Sequence, residues 1–369
     1  MPQRWLILAD DLTGAADCAI PFARRGARVS VHWNAATVDQ AADVVSFDAA
    51  TRGLSAGEAA ERHRGLLDVL PWRGRRVFKK IDSTLRGQPA AEIAAVLAAT
   101  GLRSALCAPA FPAQGRVTRG GRVFVNGVPL EATTLWAQDR TYASGDLAAM
   151  LATDGVVAVI RDAETDADLD RIVAADLAGP DCLSIGSAGL ATALARAIRD
   201  DKPQACAIEP RPGNVLVVAG SRAEATRAAV SRLAASAGVR YLRLSEAAAG
   251  EALAAALAVG DVVLDIGGDG AEPADAELAD RLGRLAASAA AAVGGIVATG
   301  GETAAAVLRH LGVEGIRLFD EVEAGVPLGL TLGRVAVPIV TKAGAFGDGE
   351  TLLRALQRLR AIRQKGRIP

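Results

Sequence analysis

Lys79-Lys80-Ile81-Asp82-Ser83-Thr84-Leu85-Arg86-Gly87 is the stretch on which the reading of this chain turns. It follows Arg75-Arg76-Val77-Phe78, a short run with strand character, and leads through Gln88-Pro89 into a helical pattern over Ala90–Ala99. A dense polar cluster therefore sits where a strand hands over to a helix, the edge at which open α/β sheets bind ligands. Between Lys80 and Arg86 the cluster offers two kinds of cation, one carboxylate and two hydroxyls. That mixture suits a small polyhydroxylated anion, with Lys80 and Arg86 for a carboxylate or phosphate and Asp82 for hydroxyl groups. The plainer alternative is that Asp82, Ser83 or Thr84 caps the next helix while the basic residues lie in solvent.

Working outward, apolar runs of strand length recur at Trp5–Ala9, Val29–Trp33, Val44–Phe47, Val77–Phe78, Ala105–Ala108, Val156–Ile160 and Leu183–Ile185, with helical patterns between them. Asn126-Gly127 between two apolar runs predicts a β-hairpin inserted after the fifth strand. Three prolines and a glycine within Lys202–Asn214 (Pro203, Pro210, Pro212, Gly213) mark a domain boundary. Beyond it the alternation restarts, with strands expected at Val215–Val218, Tyr241–Leu244, Val262–Ile266, Ile296–Ala298, Ile316–Phe319 and Val335–Val340. The expected fold is thus two α/β domains with mainly parallel sheets, residues 1–205 and 213–369.

Length and composition agree with this. A chain of 369 residues has two domains as its natural prior, and 51% hydrophobic residues supply ample core. A formal net charge of -1 and 4% aromatic residues give no case for nucleic acid. Cys18, Cys107, Cys182 and Cys206 are far apart and read as reduced thiols of a cytoplasmic protein. His32, His63 and His310 show no metal spacing. No stretch is long and apolar enough for a membrane span, and the amino terminus reads as a first strand and not as a signal peptide.

Other polar groups gather at the same predicted edge. The first strand ends in Asp10-Asp11-Leu12-Thr13-Gly14, where a carboxylate pair suits accepting a hydroxyl proton or positioning a cation. Alternatively Asp11 or Thr13 caps the helix and Gly14 permits a tight turn. Arg52 adds a cation after the third strand. The loop Ala108–Arg116 leaves the fifth strand braced by two prolines, and Gly186-Ser187-Ala188-Gly189 suits either an anion or a plain turn. The second domain is instead glycine-rich, with Ala219-Gly220-Ser221-Arg222, Thr299-Gly300-Gly301-Glu302-Thr303 and Thr341–Gly347 each following a strand. Three such turns suit a nucleotide's phosphates. The chain has no G-x-x-x-x-G-K-[ST] segment and no G-x-G-x-x-G opening a helix. A polar-anion domain followed by a phosphate-friendly domain fits phosphoryl transfer.

Taken in order, Ala9–Ala15, Lys79–Gly87, Ala108–Arg116 and Asn126–Pro129 resemble the first domain of the four-carbon acid sugar kinases. Ala219-Gly220-Ser221, Gly300–Thr303 and Thr341–Gly347 resemble that family's second domain. The resemblance implies an N-terminal acid-sugar-binding domain, a C-terminal ATP-binding domain and transfer of phosphate from ATP, with Mg²⁺, to the terminal hydroxyl of threonate, erythronate or an oxo-tetronate. Carried onto this sequence, it implies substrate contacts from Asp10, Asp11, Arg52, Lys80, Ile81, Asp82, Ser83 and Thr84. Nucleotide contacts are expected from Ser221, Gly300, Gly301, Glu302, Thr303 and Gly344. In that reading Arg52 and Lys80 hold the carboxylate, Asp82 and Ser83 select hydroxyls, and Asp10 or Asp11 serves as the base. Ala223 stands where the family pattern has a second small hydroxyl residue. The expected partners are the acid sugar and ATP, without nucleic acid or membrane. The magnesium ligands, the stereoisomer and the oligomeric state stay open, with a homodimer as the candidate assembly. A non-catalytic acid-sugar or nucleotide sensor on the same scaffold is the alternative, and an NAD-dependent enzyme is disfavoured by the missing fingerprint.

Overall fold

A computed structural model describes residues 3–138, 142–179, 181–198, 211–245, 250–267, 275–344 and 346–366. The chain divides into two compact units, Met1–Pro203 and Gln204–Pro369. Most of the proline-rich boundary, Lys202–Pro210 with Cys206 in it, lies outside the described residues, as do Ala345 and the tail Arg367–Pro369.

In the first unit the main-sheet strands are β1 (Trp5–Ala9), β2 (Val29–His32), β3 (Val44–Asp48), β4 (Arg76–Lys80) and β5 (Ala105–Ala108). A side sheet follows, made of β6 (Arg116–Arg119), β7 (Arg122–Val125) and β8 (Val128–Pro129), before β9 (Val159–Ile160) and β10 (Leu183–Gly186) rejoin the main sheet. Order in the main sheet is β2-β3-β1-β4-β10-β5-β9, and every pairing is parallel. Its helices are α1 (Leu12–Ala23), α2 (Ala56–Val69), α3 (Pro89–Thr100), α4 (Thr134–Gln138), α5 (Leu147–Ala152), α6 (Asp166–Ala178) and α7 (Ala188–Ile198). Leu6 and Leu8 of β1 face a core with Leu67 of α2 and Ile93 and Val96 of α3. On the other face Trp5 meets Phe22 of α1, and α1 packs on α7. Both faces being covered, β1 and β3 are buried at every residue, as parallel strands require.

The insertion after β5 departs from the expected single hairpin. Asn126 (φ 50°) and Gly127 (φ 80°) make the expected tight turn, but Gly120 (φ 56°) and Gly121 (φ 69°) make a second one. Arg116, expected in the loop, opens strand β6 instead. Of the strand expected over Val156–Ile160, only Val159–Ile160 forms.

The second unit runs β11 (Asn214–Ala219), α8 (Glu224–Ala234), β12 (Val239–Arg243), α9 (Gly250–Val259), β13 (Asp261–Asp265), α10 (Asp275–Ser288), β14 (Val293–Thr299), α11 (Gly301–His310), β15 (Val313–Glu321), β16 (Pro327–Gly333), β17 (Pro338–Lys342) and α12 (Thr351–Lys365). Five strands in the order β12-β13-β11-β14-β17 are parallel; β16 and β15 extend the sheet antiparallel. Strand β16 is not expected from sequence, because Pro327, Gly329 and Gly333 punctuate it. The backbone needs glycine there: a Cβ at 329 would lie 2.5 Å from Ile316 Cγ2 and 2.6 Å from the Arg317 carbonyl.

Beneath the end of β4 the first unit holds a fully buried ion pair. Lys79 Nζ lies 2.9 Å from Glu92 Oε2 and donates to the carbonyls of Leu8 (3.2 Å) and Lys80 (2.9 Å), while Thr51 Oγ1 donates to Glu92 Oε1 at 2.5 Å. Nearby, His63 of α2 is buried with Nδ1 2.9 Å from the Ala59 carbonyl. Burial, then the Lys79 charge, push its pKa from 6.5 down to about 4. The unfolded chain therefore binds the extra proton between those values. Stability is fully present above about pH 6.5 and falls as pH drops toward 4, by about 3 kcal/mol. Urea unfolding at pH 7 and pH 4.5 should show this loss, and His63→Leu should flatten it; an equal slope in the variant would place the loss elsewhere.

Candidate functional site

Strands β3, β1 and β4 lie side by side, with Ala9 opposite Asp48 and Leu8 opposite Lys79. Their carboxyl ends bring Asp10, Asp11, Arg52 and Lys80 together. Arg52 forks onto both aspartates: Nε and Nη2 donate to Asp10 at 2.7 and 3.0 Å, and Nη1 and Nη2 donate to Asp11 at 2.9 and 3.0 Å. Backbone amides of Thr51 and Arg52 both donate to the Asp10 carbonyl, which fixes the turn. Asp11 also caps α1, accepting from the Gly14 amide at 2.9 Å and from Thr13 Oγ1 at 2.5 Å. The capping and charged readings of Asp11 thus hold together. Gly14 sits inside α1 and not in a turn: a Cβ there would lie 2.6 Å from Asp11 Oδ1 and 2.7 Å from Lys80 Nζ. Its missing side chain is the path of the Lys80 ammonium.

Burial raises the Asp10 carboxyl, but Arg52 and Lys80 outweigh it and hold it at about 2. Lys80 is 4% exposed, and its Nζ stands 4.0 Å from Asp10 Oδ1. Burial disfavours its charge, yet Asp10 keeps it above the ordinary lysine value. Its ion pair with Asp10 is thus a long one, beyond hydrogen-bond distance.

The residues after β4 form a closed turn. The Ile81 amide donates to the Gly186 carbonyl, and Asp82 Oδ2 accepts from the Thr84 amide (3.0 Å), Thr84 Oγ1 and Arg86 Nε (3.1 Å). Burial acts against the Asp82 charge, but Arg86 and Arg52 hold the carboxyl well below the usual range. The N-cap of α3 is instead Gln88, which makes no side-chain cap, so the reading of Asp82, Ser83 or Thr84 as its cap does not apply. Leu85 (φ 60°) and Gly87 (φ 79°) adopt the left-handed backbone that folds the turn back, bringing Gly87 against Asp10 and Arg52. The Gly186–Gly189 segment serves packing, since its glycines admit the Ala108 and Ala110 carbonyls and Ser187 Oγ donates to Ala110 O.

In the second unit the three glycine turns leave the adjacent strands β11, β14 and β17 at one edge. They interlock: a Cβ at 220 would collide with Thr303 Oγ1, one at 344 with Ser221 Oγ, and one at 300 would touch Ser221 and Thr303. Gly300 (φ 97°) precedes α11 with no side-chain cap, leaving the first-turn amides of Gly301, Glu302 and Thr303 facing outward from a ten-residue helix. The Ala223 amide donates to Ser221 Oγ at 3.2 Å, so Ser221 orders this turn without the second hydroxyl residue.

Two residues escape the sequence reading. Asp48 is buried at the end of β3, its Oδ1 accepting from Ala50 N at 2.7 Å; burial and then Asp11 push its carboxyl up to about 7. Its signal was an acidic residue closing an apolar strand beside Thr51-Arg52. Lys342, buried at the end of β17, is the other. Among the described residues no group of three or more His, Cys, Asp or Glu side chains gathers to hold a metal, and no helix is long and apolar enough to cross a membrane.

Comparison with known proteins assigns both units. Residues 5–154 match the model of a sugar-binding N-terminal domain and residues 216–352 that of a nucleotide-binding C-terminal domain. A D-threonate kinase of Cupriavidus necator is 38% identical, the match covering 96% of this chain and 97% of the relative. A 3-oxo-tetronate kinase of the same organism is 30% identical over 95% and 96%. A crystal structure of a Haemophilus influenzae protein shares the fold, with a TM-score of 0.75 at 20% identity over 96% of this chain and 100% of that one. With two matched domains and full-length relatives at these identities, the chain belongs to the four-carbon acid sugar kinase family.

Proposed function

We propose that the chain phosphorylates the terminal hydroxyl of a four-carbon acid sugar with ATP, D-threonate being the first substrate to test. The observation that carries the acid-sugar assignment is the Lys80 ammonium, buried, charged and no closer than 4.0 Å to its partner Asp10, beside the Asp10 and Asp11 carboxylates. A substrate carboxylate entering there takes a direct charge-assisted hydrogen bond from it. Arg52 has four of its five N–H groups on Asp10 and Asp11, so its chief part is to orient the pair, with one N–H left for the substrate. Ile81, Asp82, Ser83 and Thr84 form the turn beside it, where hydroxyls of the acid sugar are read.

Held near 2, Asp10 is a weak base and serves to fix Arg52 and Lys80. Asp11, whose side chain is 16% exposed against 3% for Asp10, is the better placed to orient the attacking hydroxyl and take its proton as the phosphoryl group arrives. ATP phosphates lie against the turns of Ser221, Gly300–Thr303 and Gly344. The described residues form no magnesium cage; an ion carried by the nucleotide phosphates with one or two carboxylates fits this chain. The unpaired thiols Cys18, Cys107 and Cys182 fit a cytoplasmic setting. D-threonate takes first place because the 38% identical relative acts on it. The sensor reading has no need of the carboxylate pair.

ADP release with ATP and Mg²⁺ against D-threonate, L-threonate, D- and L-erythronate and the oxo-tetronates should show turnover with one member; silence across the panel, with ATP still binding, would favour the sensor. Asp10→Asn and Asp11→Asn, assayed separately, should include at least one loss above about tenfold in turnover, roughly 1.4 kcal/mol of barrier. If neither variant crosses that line, the pair has no part in chemistry. Gly344→Ala should raise the ATP KM about tenfold, with the acid-sugar KM nearly unchanged, because its Cβ collides with Ser221.

A further inference from the structure

Lys342 closes β17 with its side chain fully buried, pointing under the turn it precedes. Nζ reaches four oxygens: the carbonyls of Phe346 (2.7 Å), Ala343 (2.9 Å) and Gly344 (3.1 Å), and Thr226 Oγ1 (3.2 Å). No carboxylate lies within ion-pair distance of it among the described residues; Glu323 is the charged side chain that faces it. Burial pushes its pKa down to about 8, opposed by Glu323, so the ammonium remains charged at neutral pH. Thr226 of α8 extends the network, donating to the Gly344 carbonyl at 2.8 Å and pairing with Thr299 Oγ1 at 3.1 Å. The Lys342 backbone carbonyl accepts from the Gly300 amide at 2.9 Å. One residue thus holds the β17 turn by its side chain and the β14 turn by its main chain.

The consequence for an anion follows from peptide geometry. In a trans peptide the C=O and N–H point opposite ways, and the described chain has no cis bond. Carbonyls of Ala343 and Phe346 drawn onto the ammonium turn the amides of Gly344 and Gly347 away from it. We infer that Lys342 is a positioning residue for the nucleotide, a buried cation that gathers carbonyls on one side of the β17 turn so that its amides face phosphate on the other. This rests on the kinase reading above. The lysine touches no ligand itself; its charge also sits behind the turn, where it favours an anion in front.

The test measures ATP affinity by calorimetry and both KM values by ADP release for wild type, Lys342→Met and Thr226→Val, with a thermal melt on each. Lys342→Met keeps an unbranched chain, one atom shorter, and removes every donor. Expected is a rise of at least tenfold in the Kd and KM for ATP, with the acid-sugar KM within twofold and a cooperative melt retained. Thr226→Val, which keeps the ammonium but removes one acceptor and the bond to Gly344, should raise the ATP KM about threefold. A folded Lys342→Met with an ATP KM within twofold of wild type overturns the role. Should Lys342→Met fail to fold, Thr226→Val decides, and an unchanged ATP KM there overturns it. Wild type that binds no ATP removes the kinase reading and this role together, a result visible before any variant is made.

Discussion

The first unit depends on the ion pair between Lys79 and Glu92. Neither side chain reaches water, so each would leave a charge uncompensated without the other, a loss of about 3–5 kcal/mol when one partner of such a pair is removed. Its importance lies less in net stability than in what its spare valences reach. Lys79 binds the Leu8 carbonyl near the end of β1 and the Lys80 carbonyl that ends β4, and Glu92 binds the Thr51 hydroxyl. Thr51 in turn donates to the Asp10 carbonyl. The backbone from which Asp10, Arg52 and Lys80 project is therefore set from below by a charge pair that takes no part in binding.

The second unit meets the same demand with different material. Its buried lysine keeps its charge and is held by main-chain carbonyls, and its strand ends carry glycine turns instead of charged side chains. The difference suits the two ligands. A small acid sugar presents one carboxylate and several hydroxyls, for which few and directional side chains suffice. A polyphosphate presents many equivalent oxygens, for which a concave row of N–H groups is the better match.

Much of this was legible in sequence. Strand-helix alternation placed the sheets, because both-face burial leaves continuous apolar runs such as Trp5–Ala9. The ends of those runs put Asp10, Asp11, Arg52 and Lys80 at one edge, and the glycine turns at another. Strand β16 was hidden because its glycines answer to backbone contact with β15, a neighbour distant in no local pattern. The engagement of Arg52 with both aspartates was equally hidden: an arginine in a loop reads alike whether it awaits a ligand or is already held. Lys79 and Lys342 stood in quoted motifs, yet adjacent lysines in a sequence do not tell which one turns inward.

The interlocked glycines carry a consequence for how this cradle can vary. Thr303 occupies the space a side chain at 220 would need, and Ser221 occupies that of one at 344. Positions 220 and 303, and 221 and 344, therefore form two size-matched pairs in which the residue at one end sets the largest residue admitted at the other. Changes within a pair are non-additive by construction. Enlarging the glycine of either pair therefore has to go with a smaller residue at Thr303 or Ser221, the side chain that the added atoms meet first.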